Sequence, residues 1–167
     1  MKQASEKGIR LHVIIIEGKI FKQSTHYNQC VGVLSPPIDQ LLNDELGLDF
    51  PHHLTQRVID GYVLHGHNRS IKLDGHDVKS FATRRINFDE YLLEEARKKG
   101  AQVVHSRLTG LEMHNDYVRI YHESGDLKAD VIVGAFGLDD GSERIFENNT
   151  TYRQPRYLYS ILTIIHP

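Results

Sequence analysis

The sequence predicts a mixed α/β fold. A partial, buried parallel sheet lacking its first strand is interleaved with an antiparallel sheet and a β-meander. Three observations predict it. Ile9 to Ile16 carries the run Val13-Ile-Ile-Ile16, too apolar for a sheet with one wet face and suited to a parallel strand covered on both sides. Arg84 to Gly137 reads as helix, short strand, two alternating runs and a further apolar run, in that order. Between these stretches, two short apolar runs flank Gly66-His-Asn-Arg69, the pattern of a hairpin.

Composition sets the outer bounds. The 167 residues suffice for one ordinary domain, and 40% hydrophobic with 25% charged residues is a soluble globular composition. A net charge of -2 gives no electrostatic case for nucleic acid or an acidic membrane. Cys30 is the single cysteine, so no intrachain disulfide can form and the expected compartment is reducing and cytoplasmic. No basic-then-apolar leader opens the sequence, and no apolar run approaches the ~20 residues of a membrane span.

In chain order, Met1 to Gly8 reads as the last turns of a helix with Gly8 as its cap. The strand Ile9 to Ile16 follows, and Glu17 ends it. A helix tail, a buried strand and a terminal acid form the second half of a Rossmann-like, dinucleotide-binding βαβ unit, where the acid accepts hydrogen bonds from an adenosine ribose. The G-x-G-x-x-G fingerprint belongs about 20 residues before that acid. MKQASEKG contains nothing resembling it. Taken alone, Glu17 also reads as a solvated strand end.

Ile20 to Leu34 is irregular and holds Cys30-Val-Gly32, whose lone cysteine also reads as a small buried hydrophobe. Pro36-Pro37 introduces a helix from Ile38 to Leu46, closed by Gly47, with Leu41, Leu42, Leu46 and Ile38 on its apolar side. Val58–His65 and Ser70–Leu73 form the hairpin strands, and Val78 to Thr83 a third strand. Asn87 is the expected cap of the next helix. Phe88, Tyr91, Leu92, Leu93 and Ala96 make its stripe, and Gly100 stops it. Ala101 to His105 is a short strand, Arg107–Met113 and Tyr117–Glu123 alternate, and Glu123-Ser-Gly-Asp126 is a turn. Leu127–Ala135 reads as a buried strand. Ser142–Phe146 is a short helix capped by Gly141 or Ser142, and Tyr157–Ile165 a last strand. The eleven histidines show no H-E-x-x-H, Cys/His quartet or facial-triad spacing, and no G-x-S-x-G elbow supports a serine hydrolase.

The order of parts resembles flavin-dependent oxidoreductases of the hydroxybenzoate hydroxylase and geranylgeranyl reductase type. The resemblance rests on an arginine before Phe88-Asp89-Glu-Tyr-Leu92-Leu93, a following meander, Gly134-Ala135-Phe136-Gly137 after an apolar strand, and Cys30-x-Gly32. It implies FAD as cofactor, with Glu17 at the adenosine ribose, Arg85 at the ribityl-phosphate chain and the Leu108 backbone at the adenine. Gly32, Gly134, Ala135 and Gly137 would allow close approach, and Cys30 would lie near the reacting centre. Residues 1–35 and 85–147 would form the cofactor side, and 36–84 with 148–167 the substrate side. The implied reaction moves a hydride from NAD(P)H through the flavin to a small organic substrate, isoprenoid or aromatic. A lipid substrate would bring peripheral membrane contact. On this comparison the glycine loop and a later Gly-Asp motif are missing, so the chain is expected to be a fragment truncated at both ends and inactive by itself. The alternative is a remnant or interaction module that binds no flavin.

Overall fold

The computed structural model describes residues 4, 6–21, 30, 32–75, 79–137 and 139–156. Among them run β1 (Ile14–Ile16), β2 (Val33–Leu34), α1 (Ile38–Leu46), a 3-10 turn (His52–Leu54) and β3 (Thr55–Ile59). Then come β4 (Gly61–His65), β5 (Ser70–Asp74), β6 (Ser80–Thr83), α2 (Arg85–Lys98) and β7 (Gln102–Val104). The series closes with β8 (Leu108–Met113), β9 (Val118–His122), β10 (Gly125–Ala129) and α3 (Asp140–Asn149). The chain divides into two compact units. Phe21–Ala101 forms most of the first, and the second joins Ile14–Ile20 to residues 102–156.

In the first unit β6 is the middle strand of an antiparallel sheet ordered β2-β6-β3. Its core is Leu34, Leu42, Leu48 and Phe88, with Ile38, Phe50, Phe81 and Leu92 packed against it. Pro at the helix entry and Gly47 in the left-handed conformation (φ 59) delimit α1, whose last carbonyls accept the N–H groups of Gly47 and Leu48 at 2.9 Å. The stripe expected on α1 is narrower than its leucines suggest. Leu42 is 3% exposed, but Leu41 and Leu46 are 49% and 51% exposed, because the core lies along one line of the helix. α2 begins at Arg85 with no side-chain cap, which places the expected cap Asn87 inside the helix. An ion pair from Arg85 to Asp89, one turn on, steadies that end.

The expected run Val58–His65 is broken at Asp60, separating β3 from β4, so that β3 joins β6 while β4 pairs with β5. In the β4–β5 hairpin, Tyr62 stands opposite Leu73 and Leu64 opposite Ile71, which puts all four on one face. All four are 45–59% exposed. The Tyr62 hydroxyl donates to Ser80 Oγ at 3.0 Å and ties the hairpin to β6.

In the second unit β1 and β7 pair in parallel, Ile14 with Gln102 through Ile16 with Val104. The expected strand Ile9–Ile16 contracts to β1, and Ile9 and Leu11 are about half exposed at 53% and 50%. β8, β9 and β10 form the antiparallel meander, packed by Leu111, Val118, Ile120 and Phe146 with Ile16, Leu108 and Phe136 around them. Leu127–Ala135 is not one strand. β10 ends at Ala129 on its β9 partner, and Val131 and Val133 are 74% and 80% exposed. Apolar composition favours a covered strand, but a strand also needs a hydrogen-bonding neighbour, and no described segment pairs with 130–137.

α3 is longer than expected and is capped by Asp139, whose carboxylate accepts the Ser142 N–H at 3.1 Å. Near the N-terminus, Ala4 and Glu6 are helical and Gly8 has φ 69, with the Ile9 N–H donating to the Ala4 carbonyl at 2.8 Å, as a glycine-capped helix end requires. The expected strand Tyr157–Ile165 lies outside the described residues.

Candidate functional site

At the end of β1 the parallel ladder continues one step. The Glu17 N–H donates to the Val104 carbonyl at 3.0 Å, and the Glu17 carbonyl accepts the Ser106 N–H at 3.3 Å. This fixes the backbone of Glu17 and leaves its half-buried side chain at the strand's C-terminal end, where open α/β sheets hold their ligands. Glu17 Oε1 accepts the Lys19 N–H at 2.8 Å, while Oε2 has no partner among the described residues. The group is an oriented acceptor.

Between Glu17 and Lys19 lies Gly18, and the absence of its side chain has a visible cause. A Cβ there would stand 2.6 Å from Cγ of Arg107, so the arginine stem crosses over the strand end. The Arg107 backbone is held on both sides by Glu123, whose N–H donates to the Arg107 carbonyl at 3.0 Å and whose Oε2 accepts the Arg107 N–H at 3.3 Å. Leu108 opens β8 and its side chain packs into the meander core.

The Gly134-Ala135-Phe136-Gly137 segment belongs to the same unit. At Gly134 a Cβ would meet the rings of Phe136 and Phe146 at 2.6 and 2.9 Å, so two aromatics occupy the space. Those rings tilt against each other with centroids 4.9 Å apart. Ala135 is exposed. Gly137 differs: it has φ 61 and nothing within 4 Å of its Cβ position. Beyond it, Asp139 is held below the usual carboxyl range by the Ser142 hydroxyl first and the Ser142 amide next. Partial burial opposes the shift, and the charges of Arg107 and Lys19 add to it.

The first unit gathers Cys30, Gly32 and Arg85. Arg85 Nε and Nη2 donate to Asp89 Oδ1 at 3.0 and 2.8 Å, while Nη1 lies 3.9 Å from Cys30 Sγ. The Gly32 N–H also donates toward that sulfur, at 3.4 Å. Partial burial works against the Arg85 charge, but hydrogen bonding and attraction to Asp89, with a smaller contribution from the Cys30 sulfur, outweigh it and raise its pKa. Gly32 is buried at φ 75, and its missing side chain makes room for the carbonyl of Thr83. Cys30 is exposed, so the buried reading of this cysteine does not hold. Of the two adjacent arginines, Arg85 is the one that meets Cys30 and Asp89. Arg84 is exposed at the helix N-cap.

Sequence reasoning missed two residues here. Arg107 carries no motif, and only a glycine directly after a strand-ending acid hints that something crosses there. Glu143 is 2% exposed and accepts the Tyr152 hydroxyl at 3.0 Å and Gln154 Nε2 at 2.8 Å. Its surroundings cannot be read from a helix-start glutamate. Among the described residues no group of three or more His, Cys, Asp or Glu side chains gathers as metal ligands, and no helix is long and apolar enough to cross a membrane.

No protein-family model and no curated protein matches the sequence. Solved structures do match the fold. A geranylgeranyl bacteriochlorophyll reductase-like protein from Thermoplasma acidophilum is 21% identical with a TM-score of 0.55, over 77% of this chain and 32% of that one. The flavin-dependent brominase Bmp2 is 19% identical with a TM-score of 0.65, over 86% of this chain and 36% of that one. The halogenase PltM, in complex with phloroglucinol and FAD, is 18% identical with a TM-score of 0.55, over 72% of this chain and 28% of that one. The chain spans about a third of the length of these structures. Its two units therefore have the fold of part of the geranylgeranyl reductase-like and flavin-dependent halogenase architecture.

Proposed function

We propose that this chain is the FAD-binding portion of a flavin-dependent oxidoreductase, with Glu17 as acceptor for the adenosine ribose. The observation that carries the reading is the placement of Glu17. It ends a parallel strand on an ordered backbone, with one carboxylate oxygen oriented by the Lys19 N–H and the other without a partner among the described residues. A vicinal diol donates two hydrogen bonds, and such a carboxylate accepts them without reorganising.

The residues fit the adenosine end of FAD best. Glu17 is oriented, and the backbone at Leu108 and Gly137 belongs to the same unit, with open space at Gly137. At Gly32 the space is taken by the Thr83 carbonyl, and at Gly134 by two phenylalanine rings. Arg85 would meet the anionic side chain of the cofactor through Nη1, since Asp89 occupies its Nε and Nη2. Cys30, 3.9 Å from Nη1, would lie near the reacting centre.

Bound flavin would supply the redox chemistry, passing a hydride from NAD(P)H to a small organic substrate of isoprenoid or aromatic type. The protein's part is to hold, orient and exclude water. A cytoplasmic setting and, for a lipid substrate, contact with a membrane surface belong to the same reading.

An absorbance spectrum of the purified chain, followed by titration with FAD, tests the proposal. Flavin bound at low-micromolar concentration and weakened by Glu17→Ala is the expected result. A folded chain with no flavin affinity overturns it and favours an interaction module.

A further inference from the structure

The end of β1 holds two exposed cations, Arg107 and Lys19. Arg107 and Lys19 make no ion pair within 4 Å among the described residues, although both are exposed and both act on Asp139 from a distance. Nearby acids are engaged otherwise. Glu123 Oε2 holds the Arg107 backbone, Asp139 caps α3, and Glu17 Oε1 holds the Lys19 backbone. The stem of Arg107 runs over Gly18 at contact distance, where any side chain at position 18 would displace it. An arginine with a fixed backbone, a stem led across a glycine and a guanidinium without an ion pair among the described residues is poised over the strand end that carries Glu17.

We propose that Arg107 is a positioning residue for the adenine half of an adenine dinucleotide, laying its guanidinium plane on the purine while Glu17 takes the ribose and Lys19 adds positive charge. The inference rests on the proposed adenosine role of Glu17. A planar cation stacks on an aromatic face where a lysine cannot, and such contacts strengthen once water is excluded. The glycine is part of the device, since it lets the stem pass close to the strand.

The test uses the whole 167-residue chain, titrated by calorimetry with FAD, ADP and FMN. Arg107→Ala should weaken FAD and ADP by about 5- to 20-fold and leave FMN, which lacks the adenine, unchanged. Arg107→Lys should lose most of the same affinity, because the plane and not the charge is lost. Gly18→Ala should reproduce Arg107→Ala for FAD against FMN, and the double variant should be no weaker than either single one. Arg107 is exposed, so melting curves should match the wild type. If Glu17→Ala weakens FAD while Arg107→Ala does not, the arginine proposal is overturned and the Glu17 assignment stands. An equal loss of FAD and FMN affinity in Arg107→Ala also overturns it. A wild-type chain that binds neither ADP nor FAD overturns both.

Discussion

Gly32 and Thr83 share one volume: a Cβ on Gly32 would lie 1.8 Å from the Thr83 carbonyl oxygen, while the Gly32 carbonyl accepts the Thr83 N–H at 2.9 Å. The residue that brings the chain into β2 is thus fixed by the middle strand of its sheet. Its φ of 75 adds a second constraint, because side chains other than glycine's rarely adopt it. Gly32→Ala should cost about 2–4 kcal/mol, lowering the melting temperature by roughly 5–15 °C. Gly66→Ala, where the nearest atom stands at an ordinary 3.5 Å and φ is not positive, is the matched control and should shift it little.

Thr83 raises a different question through its hydroxyl. Its Oγ1 and that of Thr55, the residue directly opposite on β3, are both buried with no hydrogen-bond partner among the described residues. A buried hydroxyl without a partner costs more than the methyl that would replace it. Thr83→Val should therefore leave stability unchanged or raise it by up to about 1 kcal/mol in urea denaturation. A clear loss would reveal a bridging water or a ligand atom at this pair.

Phe88 is the ring around which the first unit's small core closes, at 4% exposure. Phe88→Ala should cost about 3–5 kcal/mol, and for a core of this size that is enough to broaden or abolish the cooperative transition. Leu41→Ala should cost under about 0.5 kcal/mol, since half of that side chain is already in water. Circular dichroism melts of the two variants separate these expectations.

Asp139 gives a pH dependence with a defined sign. Its carboxyl is depressed in the folded chain, chiefly by the Ser142 hydroxyl, so its stabilising contribution is fully present above the ordinary value of 3.8 and is lost as pH falls through the lower folded value. Asp139→Ala should cost about 1 kcal/mol at pH 7 through the lost cap. The gap between variant and wild type, read from urea midpoints, should close below about pH 3.8. An unchanged gap at pH 3 would assign the effect to packing.

Much of this was legible in the sequence, for reasons that differ by element. The alternating runs Arg107–Met113 and Tyr117–Glu123 and the turn at Glu123-Ser-Gly-Asp126 identify β8, β9 and the reversal after β9, because a tight turn and a two-residue period are local properties. Gly47 and Gly8 mark helix ends for the same reason. The helix α2 and the parallel strand before Glu17 were also readable, though β1 is shorter than its apolar run. Leu127–Ala135 misled, since its composition reports a demand for burial while strand formation depends on a neighbour far away in sequence. Glu17 was visible as an acid at a strand end. Arg107 was not, because its importance lies in crossing Gly18, a contact between distant positions that neither residue announces.

The parallel pairing of β1 with β7 also has a consequence in time. Ile14–Ile16 leaves the ribosome before all of Phe21–Ala101, and its ladder partner Gln102–Val104 after it. The second unit must therefore wait for the first to be made before its parallel ladder can close. Closure entropy grows only slowly with the length of the intervening chain, so the wait costs rate more than stability. During synthesis the Ile14-Ile15-Ile16 strand lacks its Gln102–Val104 partner, and a chaperone or a neighbouring nascent chain would meet that edge first.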